Sequence, residues 1–249
     1  MGNERNMIVD FAISQIGYCE NPKGSNRQKY GVMLDKLPWY LRKEGGKEWI
    51  HKVNGYDWCT QFVDASYISV FTLDTARKLL CRPAVNDYGS VVKYAFDYFK
   101  KAGRGYTKEE HNPQPGDVIY FQNSDGLCHT GIVKYVTDTE VTTIEGNAGS
   151  RNNYVVEKTY KKNDSYIYGY GVPAYSEKYP ACPFKAVNTL KGVAVRDIPY
   201  SDGNIIATIK QGATIKVEAL EGSSGDFAKI TGYVYLPGGF TWEGKQHDD

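Results

Sequence analysis

The hydrophobic period changes partway along this chain and divides it into a helical part and a strand part. Ahead of Gly103, apolar residues recur every three or four positions. Ile8, Phe11, Ala12 and Ile16 share one face of a predicted helix over 6–16, with Gly17 as its C-cap. Phe62, Val63, Ser66, Tyr67 and Val70 repeat the pattern behind Cys59, with Asp57 placed to cap the helix start. A further run, 90–102, puts Val91, Tyr94, Ala95 and Tyr98 on one side and stops at Gly103 and Gly105. Residues 30–49, with Trp39, Trp49 and the Gly45-Gly46 break, favour neither period. Past the turn sequence Asn112-Pro113-Gln114-Pro115-Gly116-Asp117 the apolar runs shorten to strand length. Residues 118–121 read as a buried strand, and 130–136 with 140–144 as a hairpin about Thr137-Asp138-Thr139. Two more strands follow over 154–160 and 167–172.

Cys59 opens one of the helical runs, in the string Tyr56-Asp57-Trp58-Cys59-Thr60-Gln61, and is expected to aim outward from the first turn. A helix N-terminus favours a thiolate, the nucleophilic form of cysteine. Far downstream come His129 and then Glu145 and Asn147. Thiol, then imidazole, then acid or amide is the order seen in papain-like cysteine hydrolases, where the ring holds the thiolate and the third group fixes the ring. A three-residue hairpin loop would pair His129 with Asn147 and put Glu145 on the same face as His129. A slip of one residue would send His129 and Glu145 to opposite faces. Cys128 competes for the nucleophile's role, but it enters a strand rather than opening a helix. The Cys59 N–H is the natural first donor to an oxyanion, with Tyr56 as a candidate second donor and Trp58 as a candidate groove wall.

The chain has 249 residues, of which 41% are hydrophobic and 24% charged, so a folded protein is expected. A formal charge of +1 without a long basic run argues against nucleic acid as a partner. No stretch is apolar enough to insert in a membrane, and no apolar signal core precedes Asp10. Release by lysis, or by another export route, is therefore expected. The five cysteines are odd in number and lack Cys-x-x-Cys spacing, so free thiols and no metal site are expected. Tyr179-Pro180-Ala181-Cys182-Pro183-Phe184 reads as a linker, and beyond it lie short strands and glycine turns. These strands are 193–196, 205–209, 214–219, 227–230 and 233–236, enough for a small β-barrel.

Four strings together resemble the CHAP family of cysteine- and histidine-dependent amidohydrolases and peptidases. They are Tyr56-Asp57-Trp58-Cys59, Pro115-Gly116-Asp117-Val118-Ile119-Tyr120-Phe121, His129-Thr130-Gly131-Ile132-Val133 and Thr143-Ile144-Glu145-Gly146-Asn147. The resemblance implies a papain-like α+β fold, with helices packed on an antiparallel sheet. It implies Cys59 as nucleophile, His129 as base, Glu145 as ring orienter and Asn147 as a further polar helper. The substrate it implies is bacterial peptidoglycan, cut as an N-acetylmuramoyl-L-alanine amidase; the alternatives are an endopeptidase with the same site and a non-catalytic wall-binding protein. Some relatives bind calcium through an acidic cluster before the nucleophile. Here 51–57 carries one acid, Asp57, and neither calcium nor any other cofactor is expected. The tail, Leu190 to Leu236, resembles a bacterial SH3 module, with Tyr200, Tyr233, Tyr235 and Trp242 as candidate wall contacts. The expected organisation is a catalytic domain over 1–176, a linker over 177–185 and an SH3-like domain over 186–249, in a monomer of phage-endolysin type.

Overall fold

The structure is a computed structural model. It describes residues 4–175 throughout and, beyond them, 184–188, 192–196, 205–210, 213–217, 219–221, 227–229, 233–235 and 240–242. The chain divides into a unit of Met7–Tyr175 and a second unit of Met1–Asn6 with Ser176–Asp249.

The helices are α1 (Glu4–Ser14), α2 (Lys29–Leu34), α3 (Cys59–Val70), α4 (Leu73–Leu79) and α5 (Val92–Lys101). A ribbon of β1 (Leu41–Glu44) and β2 (Lys47–Ile50) lies between α2 and α3 in the chain. After α5 come β3 (Gly105–Thr107), β4 (Val118–Asn123), β5 (Gly126–Val136), β6 (Glu140–Ala148), β7 (Tyr154–Lys161) and β8 (Ile167–Gly171). These six form one antiparallel sheet in the order β3-β8-β4-β5-β6-β7.

Neighbouring residues of β4 go to different cores because side chains alternate along a strand. Val118 and Tyr120 join Phe62 of α3, Phe96 and Phe99 of α5, Ile132 and Ile144 in the larger cluster. Ile119 and Phe121 join Val133, Val141 and Ile167 in a smaller one. An unbroken apolar run is what a strand buried on both faces requires. α5 turns a different face inward from the one its spacing suggests. Val92, Ala95, Phe96 and Phe99 are buried, while Val91 and Tyr94 stay exposed.

The β5–β6 hairpin departs from the three-residue loop near its tip. Val136 pairs with Val141 and Tyr135 with Thr142, one step beyond the expected register. Thr137 closes the longer loop, its N–H donating to the Glu140 carbonyl and its hydroxyl accepting from the Glu140 N–H, both at 2.9 Å. A bulge between Val133 and Tyr135 absorbs the extra residue, and Val133 then pairs with Thr143 and Ile132 with Ile144. Beyond the bulge the strands have the register that a three-residue turn would have set.

The second unit holds β9 (Phe184–Asn188), β10 (Gly192–Arg196), β11 (Ile205–Lys210), β12 (Thr214–Val217), β13 (Ala219–Glu221), β14 (Phe227–Lys229), β15 (Tyr233–Tyr235) and β16 (Phe240–Trp242). Five strands run in the order β11-β10-β15-β14-β13, and three in the order β12-β9-β16. The strand expected over 214–219 is thus two strands in separate sheets. β9 takes up residues 184–185 of the expected linker by pairing with β12 and β16. Residues 177–183, with Cys182, and Tyr200 lie outside the described residues. Tyr233, Tyr235 and Trp242 fall in β15 and β16, but their side chains are likewise outside what is described.

Candidate active site

Cys59 is the first residue of α3, and Trp58 rather than Asp57 occupies the N-cap, without a capping side chain. The thiol is 5% exposed, so it does not stand clear of the surface as expected. It instead lines a cleft of 490 Å³ together with Tyr56, Asp57, Val91, Leu127 and Cys128. Two close approaches shape the site, and the first seats the helix. A Cβ on Gly146 would meet Phe62 Cβ at 2.4 Å and the Trp58 ring at 2.8 Å, so only glycine lets α3 lie this near to β6. Gln61, buried two residues on, anchors the loop ahead of the thiol. Its amide donates to the carbonyls of Val53 (2.9 Å), Asp57 (3.0 Å) and Tyr56 (3.3 Å) and accepts from Gln28 Nε2 at 2.7 Å.

The His129 ring lies near enough to the Cys59 thiol for the sulfur to favour its charged form. Its Nε2 is 3.0 Å from Glu145 Oε2, which leaves Nδ1 for the sulfur. Phe121 stacks on the imidazole at 5.7 Å and steadies its tilt. The second close approach is here. A Cβ on Gly131 would meet Glu145 Cγ at 2.7 Å, so glycine on β5 clears the path along which Glu145 reaches His129.

Glu145 is fully buried, and its oxygens are saturated. Oε1 accepts from Thr143 Oγ1 (2.7 Å) and Tyr160 Oη (2.8 Å), and Oε2 from Lys158 Nζ (3.0 Å) beside the imidazole. Burial alone would raise the carboxyl's pKa, but His129, Lys158 and Thr143 outweigh it and hold it at about 2. Burial alone would likewise discharge His129; the bonds to Cys59 and Glu145 reverse this and push the imidazole up to about 9. Burial, and then the Glu145 charge, push the Tyr160 hydroxyl upward, so it remains a donor. The arrangement is a cationic ring between a sulfur and a carboxylate.

The structure brings Cys59, His129 and Glu145 together but turns other candidates elsewhere. Asn147 has a left-handed backbone, φ 55°, and its Nδ2 donates to Asp57 Oδ1 at 3.3 Å rather than reaching the imidazole. Trp58 is fully buried, stacked on Tyr30 with its Nε1 donating to Glu20, so its indole is core and not groove wall. Tyr56 is 68% exposed at the cleft. Cys128 is exposed and also lines the cleft. His111, in the loop ahead of β4, bonds the buried Asp117 at 2.8 Å. Sequence reasoning missed Gln61, Thr143, Lys158 and Tyr160. Alternation along β7 puts Lys158 and Tyr160 on one face, but only the β6–β7 register, Thr143 with Lys158 and Val141 with Tyr160, brings them to Glu145.

No curated protein matches the chain. Among solved structures, a crystal structure of Ly7917 is 23% identical, covering 51% of this chain and 58% of that one, with a TM-score of 0.23. A crystal structure of Ly7917 with the hydrolyzing product of MDP is 17% identical, covering 98% of this chain and 97% of that one, with a TM-score of 0.38. The first alignment therefore spans little more than half of its neighbour's length. Residues 51–147, the stretch that holds the thiol, the imidazole and the carboxylate, match the CHAP domain family.

Proposed function

We propose that this protein is a peptidoglycan hydrolase, an N-acetylmuramoyl-L-alanine amidase acting through Cys59, His129 and Glu145. The observation that carries the reading is the pairing of the His129 ring with the saturated Glu145 carboxylate at 3.0 Å, close by the Cys59 thiol, within the stretch matched to the CHAP domain. The raised imidazole pKa means that at neutral pH the ring keeps the proton that the leaving group will need. The thiolate attacks the lactyl carbonyl, and the backbone N–H groups of the first turn of α3 serve as donors to the oxyanion. His129 gives its proton to the leaving nitrogen of L-alanine. The ring, now a base, takes a proton from water, which releases the acyl group and restores the thiolate. Glu145 stays ionised throughout and keeps Nε2–H directed at itself.

Asn147 acts on the site indirectly in this reading, by holding Asp57 at the cleft mouth. The C-terminal strands serve as an SH3-like module that retains the protein at the bacterial wall, where a monomer works without a cofactor.

Digestion of purified sacculi tests the proposal. New L-alanine amino termini, with glycan strands left intact, are expected. Cys59→Ala should lower the rate by about 10³-fold or more. Cuts within the stem or cross-bridge would replace the amidase with an endopeptidase, and no soluble product at all would leave a wall-binding protein.

A further inference from the structure

Ser90 and Val91 line one side of the cleft, and they end the turn 86–91, whose backbone is fastened from several sides. The Asn86 N–H donates to the Leu41 carbonyl at 2.7 Å, and its side-chain oxygen accepts from the Lys43 N–H at 2.9 Å. The buried Asp87 carboxylate pairs with Arg82 at 3.0 Å, and Arg82 pairs in turn with Asp64 of α3 at 2.7 Å. Arg42 donates to the Asp87 carbonyl. Tyr98 Oη accepts from the Tyr88 N–H at 2.9 Å. Next to the thiol, Thr60 Oγ1 donates to the Ser90 carbonyl at 2.9 Å.

This fixed turn presents large apolar groups to solvent. Tyr88 is 49% exposed, Val91 52% and Tyr94 46%. The two tyrosine rings lie 5.8 Å apart, and the Arg42 guanidinium stacks 4.1 Å from the Tyr88 ring and sets its plane. Apolar residues singly exposed are ordinary, whereas a contiguous group at the edge of a cleft marks a binding surface. Val91 ties the group to the site because it also lines the cleft with Cys59. A cleft of 490 Å³ takes a segment of about drug size, so a polymer with its amide at Cys59 must run on over the rim. In peptidoglycan the lactyl ether sets a sugar within a few bonds of that amide. A pyranose offers a C–H face that lies on an aromatic ring and hydroxyls that reach the tyrosine tips.

We infer that Tyr88, Val91 and Tyr94 form a rigid ledge on which a sugar ring of the glycan strand stacks while its stem amide lies at Cys59. The inference rests on the peptidoglycan reading and names the part of the substrate read outside the cleft. The test compares the full chain with the double substitutions Tyr88→Ala/Tyr94→Ala and Tyr88→Phe/Tyr94→Phe on two soluble substrates. One is a disaccharide-tetrapeptide, the other a lactyl-tetrapeptide without sugar. The alanine pair should lower kcat/KM about tenfold on the disaccharide substrate and leave the sugar-free one unchanged, and the phenylalanine pair should restore the loss. An equal loss on both substrates, or none on either, overturns the ledge. So does a fall in sedimentation coefficient with the alanine pair, which would make a second copy of the chain the occupant. If the parent protein cleaves neither substrate, the amidase reading fails and takes the ledge with it.

Discussion

Glu145 spends all its hydrogen-bonding capacity inside the protein, on His129, Thr143, Lys158 and Tyr160. A carboxylate so placed cannot turn away, which is what a ring orienter requires. With the Cys59 sulfur, its charge also raises the alkaline limit of the reaction. With the imidazole at about 9, the rate should hold through neutrality and fall as pH rises through 9, where the ring loses the proton it must deliver. Glu145→Gln keeps the shape but removes the charge. Its kcat should drop by about 10²–10⁴-fold, and its alkaline limb should move down by about one to three pH units. An alkaline limb that stays in place would show that Glu145 does not charge the ring. The same groups carry stability in opposite directions. His129, raised from 6.5, stabilises fully below 6.5 and loses that contribution as pH climbs through about 9. Glu145, lowered from 4.5, stabilises fully above 4.5 and loses it as pH falls toward 2. The difference in Tm between parent and Glu145→Gln should thus be widest between about 4.5 and 6.5. His129 and Glu145 were legible in the sequence because their spacing fixes a shared face in a hairpin. Lys158 and Tyr160 were not, since their approach depends on the register of a third strand.

At the level of elements, the site is a helix end brought against two strands, and small residues decide how near they come. Gly146 faces Phe62 and Trp58, and its replacement by alanine would put a methyl where Phe62 Cβ lies 2.4 Å away. Gly146→Ala should therefore cost about 1–3 kcal/mol in urea unfolding, as overpacking does, and lower kcat because α3 carries Cys59 away from His129 as it backs off. Unchanged stability would mean that the helix has room to spare. The Glu-Gly-Asn string was thus legible as a site motif, while the reason for its glycine is a tertiary contact that no local pattern contains. The hairpin shows the same limit. Its strands follow from alternation, but the longer loop and the cancelling bulge near Lys134 depend on how Thr137 closes the turn. α5 misled for a related reason: Val91 and Tyr94 have core chemistry and helical spacing, yet they face solvent.

At the level of the whole molecule, the unit that holds the site ends in a fastened residue. Tyr175 is buried, its hydroxyl donates to the Gly116 carbonyl at 2.9 Å, and it stacks on Tyr67, whose own hydroxyl bonds the same carbonyl. Gly116 belongs to the turn that leads into β4, so the last residue of the unit closes onto the sheet beside the core. The switch from helical to strand period made this unit legible. The end of the linker was not, because β9 finds its partners far downstream, around Val217 and Trp242. A chain ending at Tyr175 retains every contact described for the site. It should unfold in one cooperative transition and cleave a soluble muropeptide within about twofold of the full chain's kcat/KM. Its co-sedimentation with intact sacculi should fall sharply, since the proposed wall-retaining strands are gone. Undiminished co-sedimentation would remove the wall-binding role from the C-terminal unit. A truncated chain that folds but has lost cleavage of the soluble substrate would show that residues beyond Tyr175 take part in the chemistry.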